Sequence, residues 1–296
     1  FYLILIIKKN NSKLKKLLNN IKSYLLSIKT LSKTSIALLI IILTLFTLFL
    51  TYFHNIPFFA DSSYYSLFAQ HIYDSGFKRL FMPPNLDNGN PPLFSLLLAI
   101  FWKIFGKTLL SSHIFILIIL IIFSIEFYRL TTCFIKSIEL RLWATLIVLI
   151  DPTLITQSII MSNEILMTML VIGSINSLIR RNYKTNFIYS TLIPLTQIKG
   201  IIIFFAIFLY NLILEGHYSY KKLPTKKDII KSIYIILPYY IPGILYFIAW
   251  IAIHYYINGW AIISPQNISF INFANISDIS SRLFFSLWFL FDFGRI

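Results

Sequence analysis

Apolar residues in this chain come in long blocks separated by short polar breaks, with none of the alternation that marks half-buried strands. The first clear block, Ser35–Phe53, runs for about 19 residues, enough as a helix to cross a hydrocarbon core of about 30 Å. Further apolar blocks follow at Leu93–Phe105, Ser111–Tyr128, Leu140–Ile150, Pro152–Met161, Ile165–Ile179, Phe187–Ile198, Gly200–Leu214, Ile229–Ile257 and Leu283–Phe293. Breaks fall at Asp151-Pro152 and at Gln197-Ile198-Lys199-Gly200, and prolines interrupt the 229–257 block. The pattern predicts an all-α chain folded as a polytopic transmembrane helix bundle.

One stretch departs from it. His54–Asn90 is rich in Pro, Asn, Asp and aromatic residues. Within it Asp61-Ser62-Ser63 reads as a helix start, with Tyr64, Tyr65, Phe68 and Ile72 at helical spacing, and Gly76 as the stop. Pro83-Pro84 and Asn88-Gly89-Asn90 mark turns before the chain resumes at Pro91-Pro92. The expectation is an amphipathic helix in an outer-face loop, 54–91, after the first span.

Composition sharpens the picture. Of 296 residues 57% are hydrophobic and only 12% charged, against about 25% charged in a soluble domain. The net charge of +15 raises the question of nucleic acid. Yet the cations cluster beside apolar blocks and form no basic face, the pattern of the positive-inside rule. Residues 8–33 hold eight lysines and no acid, so 1–34 reads as a basic amphipathic segment on an anionic cytoplasmic leaflet. That segment places the end of the first span outside. Clusters at 180–184 and 221–231 agree with the resulting alternation; Arg129, Lys136 and Arg141 fall on the opposite side, beside Glu126 and Glu139. One cysteine, Cys133, and five scattered histidines provide neither an intrachain disulfide nor a metal scaffold. The first residue is Phe1 and the last residues are Phe293-Gly294-Arg295-Ile296, from which a truncated chain is expected. Asn267-Ile268-Ser269 and Asn275-Ile276-Ser277 match glycosylation acceptors.

Three side chains stand out chemically. Asp61 follows the first span among Phe58, Phe59, Tyr64 and Tyr65. It is either a helix N-cap or a general base held near the bilayer. Glu164, beside Asn163, lies between two apolar blocks; it either ends a helix or serves as a functional acid at membrane depth. Lys199 occupies the polar break between two short helices, where it either snorkels to the interface or binds a phosphate as a point charge. Glu126 and Arg129, one turn apart, read as a structural pair.

The order Asp61-Ser62-Ser63-Tyr64-Tyr65, an amphipathic stretch, Asn90-Pro91-Pro92-Leu93, a short span and Phe105-Gly106 resembles membrane glycosyltransferases of the GT-C fold. The nearest resemblance is to the protein O-mannosyltransferase-like and aminoarabinose transferase-like enzymes of glycosyltransferase family 39. Thr156-Gln157-Ser158 followed by Glu164 is similar to their Thr-Gln-Ser-Arg…Asp stretch. Leu195-Thr196-Gln197-Ile198-Lys199-Gly200 looks like their Leu-Thr-Lys/Arg-Gly break. The resemblance covers residues 35–215. It departs where Ser62 follows Asp61 in place of a second acid, where Asn90 replaces a cationic or imidazole residue, and where Ile159 replaces an arginine.

The resemblance implies a GT-C-like transmembrane module over 35–296, without a cofactor. Its activity would be sugar transfer from a polyprenyl-phosphate donor to an acceptor hydroxyl on a lipid, glycan or protein, with inversion. Asp61 and Glu164 become the candidate catalytic residues, and Lys199, Asn90 and Arg79 the candidates for holding the donor phosphate, with Lys78 beside them. The expected location is a bacterial cytoplasmic membrane, or the endoplasmic reticulum in a eukaryote, with the site on the extracytoplasmic face. Membrane lipids are expected partners and nucleic acid is not. Such a reaction needs no general acid, because the lipid phosphate already leaves well; glycosidases need two carboxylates. The competing expectation is a transporter or flippase of lipid-linked sugars, which predicts an inverted repeat that the sequence does not display.

Overall fold

The computed structural model describes residues 33–59, 61–220, 226–261 and Ser280; the side chains of Thr34, Asp61, 216–220 and 226–229 are outside the description. The lysines of the basic segment up to Lys29, the lysines at 221 and 222, both acceptor-like asparagines, Asp292 and the block Leu283–Phe293 lie outside the described residues.

Among the described residues every regular element is helical. The helices are α1 (Lys33–Phe53), α2 (Asp61–Asp74), α3 (Leu93–Phe105), α4 (Leu109–Thr131), α5 (Ile138–Leu149), α6 (Pro152–Ile159), α7 (Asn163–Ile179), α8 (Tyr183–Leu192), α9 (Gly200–Tyr220), α10 (Lys226–Ile236) and α11 (Ile241–Asn258). Short 3₁₀ turns at Ile193–Leu195 and Leu237–Tyr239 follow α8 and α10. Among the described residues three helices have the length and apolar character to cross a membrane: α1 from Ser35, α4 and α11.

Most boundaries follow the sequence pattern, and the differences have local causes. α4 starts two residues before the apolar block because Thr108 caps it: its side chain accepts from the Ser111 N–H while Ser111 Oγ reaches back to the Thr108 N–H. α2 runs from Asp61 to Asp74 and stops where Gly76 and Phe77 take positive φ, at 62° and 67°. The break placed at 197–200 is longer than expected and begins after Leu192. Pro194 has no N–H for a helix to use, so the chain tightens into a 3₁₀ turn there. Pro238 divides the 229–257 block in the same way.

The chain divides into two compact units, the first comprising Phe1–Leu67 and Leu97–Tyr189, the second Phe68–Leu96 and Ser190–Ile296. In the first, α4 packs along α7, and α1 packs on α5. Leu38 and Ile42 of α1 meet Leu142, Leu146 and Leu149 of α5, with Phe46 and Tyr128 beside them. The spacing i, i+4 on one helix and i, i+4, i+7 on the other is the stripe that two helices need to interlock. The opposite flank of α1 stays bare: Ile40 is 57% and Leu43 63% exposed. Three threonines lie on that bare flank, and each turns its hydroxyl onto its own helix: Thr44 donates to Ile40 O at 2.8 Å, Thr47 to Leu43 O at 3.1 Å and Thr51 to Thr47 O at 3.1 Å.

In the second unit α9, α10 and α11 gather about the two 3₁₀ turns. Tyr240, fully buried, stacks edge-on against Phe204 and Phe208, and the Asn211 amide donates to its hydroxyl at 3.2 Å.

Candidate functional site

The candidate side chains divide between the two units. In the first, α5 ends at Leu149, capped by Ile150, and α6 restarts at Pro152, because Asp151 is an N-cap: its Oδ1 accepts from the Thr153 and Leu154 N–H groups at 2.9 and 3.0 Å. Proline at the first helical position favours the same start. Ser162 caps α7 by accepting the Glu164 N–H at 3.2 Å. These two caps set Asp151 and Glu164 on the wall of one cavity of about 460 Å³, with Gln157, Thr168 and Phe123. Its volume falls within the range of small-molecule sites, about 300–1,000 Å³. Gln157 and Glu164 are the two members of the Thr156…Glu164 stretch that face it. Asp151 was read from the sequence only as a helix break, although a carboxylate before proline is also a capping signal.

Asp61 is the first residue of α2, and its side chain is outside the description. The turn before it is closed by Ser62, whose Oγ accepts from the Phe59 N–H at 3.0 Å and donates to Phe59 O at 2.5 Å.

The remaining candidates belong to the second unit. Arg79 is exposed after α2, its backbone N–H donating to Ser75 Oγ at 3.2 Å. Asn90 and Lys199, more than a hundred residues apart in the chain, come close: Asn90 Oδ1 accepts from the Ile198 N–H at 3.4 Å. Lys199 itself is exposed on the break. Gly200 makes this break possible, because a β-carbon there would lie 2.3 Å from the Ile193 carbonyl oxygen.

Two buried polar networks accompany these groups. The first confirms the Glu126–Arg129 pair, 2.8 Å apart, and enlarges it. Glu126 also accepts from Asn176 Nδ2 at 2.5 Å and from the Tyr189 hydroxyl at 3.2 Å. Arg180 donates to Asn176 Oδ1 and to the Arg129 carbonyl, at 2.8 and 2.6 Å. Gly173 admits the Tyr189 ring, whose Cε2 lies 2.6 Å from where a β-carbon would be.

The second network was not foreseen. Asp87, in the turn before α3, meets His254 of α11: its Oδ2 is 2.8 Å from His254 Nε2 and 2.5 Å from Asn258 Nδ2. His254 is 1% exposed, and Phe81, Trp250 and Trp260 surround its ring. The available signal was His254 and Asn258 at i, i+4 on an otherwise apolar helix.

No protein-family model, curated protein or solved structure matches the chain.

Proposed function

We propose that the protein is a multi-pass membrane glycosyltransferase that moves a sugar from a polyprenyl-phosphate donor to an acceptor hydroxyl on the extracytoplasmic side. The observation that carries this reading is the cavity of about 460 Å³ whose wall holds Glu164, Gln157 and Asp151. Two carboxylates and an amide on one cavity wall supply the acceptors and donors that a sugar's hydroxyls would meet. The bare apolar flank of α1 and the exposed rings of α11, Tyr256 at 90%, suit a hydrocarbon surround.

In the proposed reaction the acceptor oxygen attacks the anomeric carbon and the bond from that carbon to the phosphate oxygen breaks. The electron pair leaves with the lipid phosphate, and a carboxylate takes the acceptor's proton. Asp61 is the proposed base, and Glu164 the second carboxylate that orients or deprotonates the acceptor. Lys199, with Asn90 at the same break and Arg79, is proposed to meet the departing phosphate, where a fixed cation lowers the barrier as charge develops.

The test uses membranes carrying the full-length protein, unmodified or as Asp61→Asn or Glu164→Gln, with labelled polyprenyl-phosphate sugars. Transfer that falls by at least about a hundredfold in one variant at equal protein level, the scale of general-base loss, supports the reading and names the base. Transfer that survives in both would remove the carboxylates from the chemistry. Labelled donor that changes leaflet without transfer would establish a lipid-linked sugar flippase instead.

A further inference from the structure

The buried pair Asp87–His254 joins the end of α11 to the turn before α3. His254 Nδ1 faces the Trp260 carbonyl oxygen at 2.9 Å. A carbonyl only accepts, so Nδ1 carries hydrogen. Nε2 faces Asp87 Oδ2 at 2.8 Å. The Asn258 amide nitrogen lies 2.5 Å from the same Oδ2 and 3.2 Å from Nε2, so Asp87, His254 and Asn258 close one hydrogen-bonded cluster away from water. Asp87 is the titratable group that the described residues set against His254; its other neighbours are the Asn258 amide and the rings of Phe81, Trp250 and Trp260.

What the pair holds is a turn. Asp87 Oδ1 accepts from the Gly89 N–H at 2.7 Å, and Gly89 takes a φ of 83° that side chains disfavour. Asn88 Oδ1 then accepts from the Asn90 backbone N–H and side-chain amide, at 3.0 and 3.1 Å. Asn90 Oδ1 in turn accepts the Ile198 N–H. The chain of contacts runs from the end of α11, through the Asp87–Asn90 turn, to the break that carries Lys199.

We propose that Asp87 and His254 are positioning residues: hydrogen-bonded to each other, they clasp the Asp87–Asn90 turn and hold Asn90 against the Ile198–Lys199 break. The clasp stands on its own geometry. Its consequence for donor binding rests on the transferase reading above.

The decisive variant is Asp87→Asn. A neutral amide donates to the bare Nε2 and still accepts from Gly89. Asn258 can turn its amide to offer Oδ1, a buried atom with no partner now. Asp87→Asn therefore keeps the clasp. Deuterium exchange at Gly89, Asn90 and Ile198, expressed as protection relative to the free-peptide rate, reads it in the full-length protein in detergent. Asp87→Asn is expected to keep the protection of the unmodified protein. His254→Ala is expected to lose about tenfold or more at every pH, the scale of one charged hydrogen bond. Unchanged protection in His254→Ala would overturn the clasp. With transfer measured alongside, the donor KM of His254→Ala should rise by the same factor with kcat nearly unchanged; an unchanged KM would overturn the positioning role. No transfer by the unmodified protein would remove the transferase reading alone, because exchange decides the clasp without it.

Discussion

Each compact unit contains a buried carboxylate met by donors from a distant helix, and the two are solved in opposite ways. Glu126 is matched by a guanidinium: Arg129 approaches at 2.8 Å while its own side chain stays 46% exposed. Asp87 is matched by an imidazole with no path outward, His254 being 1% exposed. The first network keeps its charge balanced by a group that is always protonated and wet at one end. The second closes its carboxylate among an imidazole, a side-chain amide and a backbone N–H. A guanidinium forks between acceptors and still reaches solvent, whereas an imidazole meets a carboxylate through one nitrogen. Burial alone does not distinguish a brace from a latch; the partner's chemistry does.

The comparison breaks most visibly if Glu126 is removed. Glu126→Ala strands Asn176, Tyr189 and Arg129 together, and a loss of about 3 kcal/mol is expected, the lower end for a broken buried pair. Thermal unfolding in detergent measures it, and a change below about 1 kcal/mol would mean the network carries little. Next comes Gly173→Ala. A β-carbon 2.6 Å from the Tyr189 ring forces that ring away from Glu126, at a cost of about 2 kcal/mol. A double cycle with Tyr189→Phe separates the clash from the lost hydroxyl contact.

Neutralising each carboxylate without changing its shape sharpens the contrast. Glu126→Gln is expected to cost about 1.5 kcal/mol, since Arg129 and Asn176 then face an amide that cannot accept from both as well. Asp87→Asn is expected to cost under about 1 kcal/mol, because the amide satisfies a neutral histidine. Equal costs in the same unfolding assay would erase the distinction between the two sites. Smallest of all is Arg129→Met, below about 1 kcal/mol because the Arg129 side chain is itself 46% exposed and Asn176 and Tyr189 still donate to Glu126. What little effect it has should vanish when unfolding is repeated in concentrated salt.

These two networks also mark the limit of what could be read in advance. The Glu126–Arg129 pair was legible because i, i+3 contacts are written into a helix. Asn176 and Tyr189 were not, being 50 and 63 residues from Glu126. The helix over Asp61–Asp74 and the interruption at Asp151-Pro152 followed directly from capping residues, proline and glycine. The break near Lys199 was placed too late, because Pro194 ends the regular helix a full turn before the polar residues begin. Asp87 was seen only as part of a turn. Its partner His254 lies 167 residues on, and local pattern holds no information about which distant helix will cover a loop. The same holds for the cavity. Glu164 and Gln157 were marked by spacing, while Asp151 joined them only through the packing of α6 on α7.

The three threonines on the open flank of α1 have a consequence for how this sequence can drift. With each hydroxyl already spent on its own backbone, what the surroundings meet at positions 44, 47 and 51 is a methyl group. A residue-by-residue scale counts three polar side chains on the helix; a neighbouring acyl chain would find none. Threonine and valine then present the same methyl surface at these sites, so exchange between them is expected to leave the apolar face of α1 unchanged.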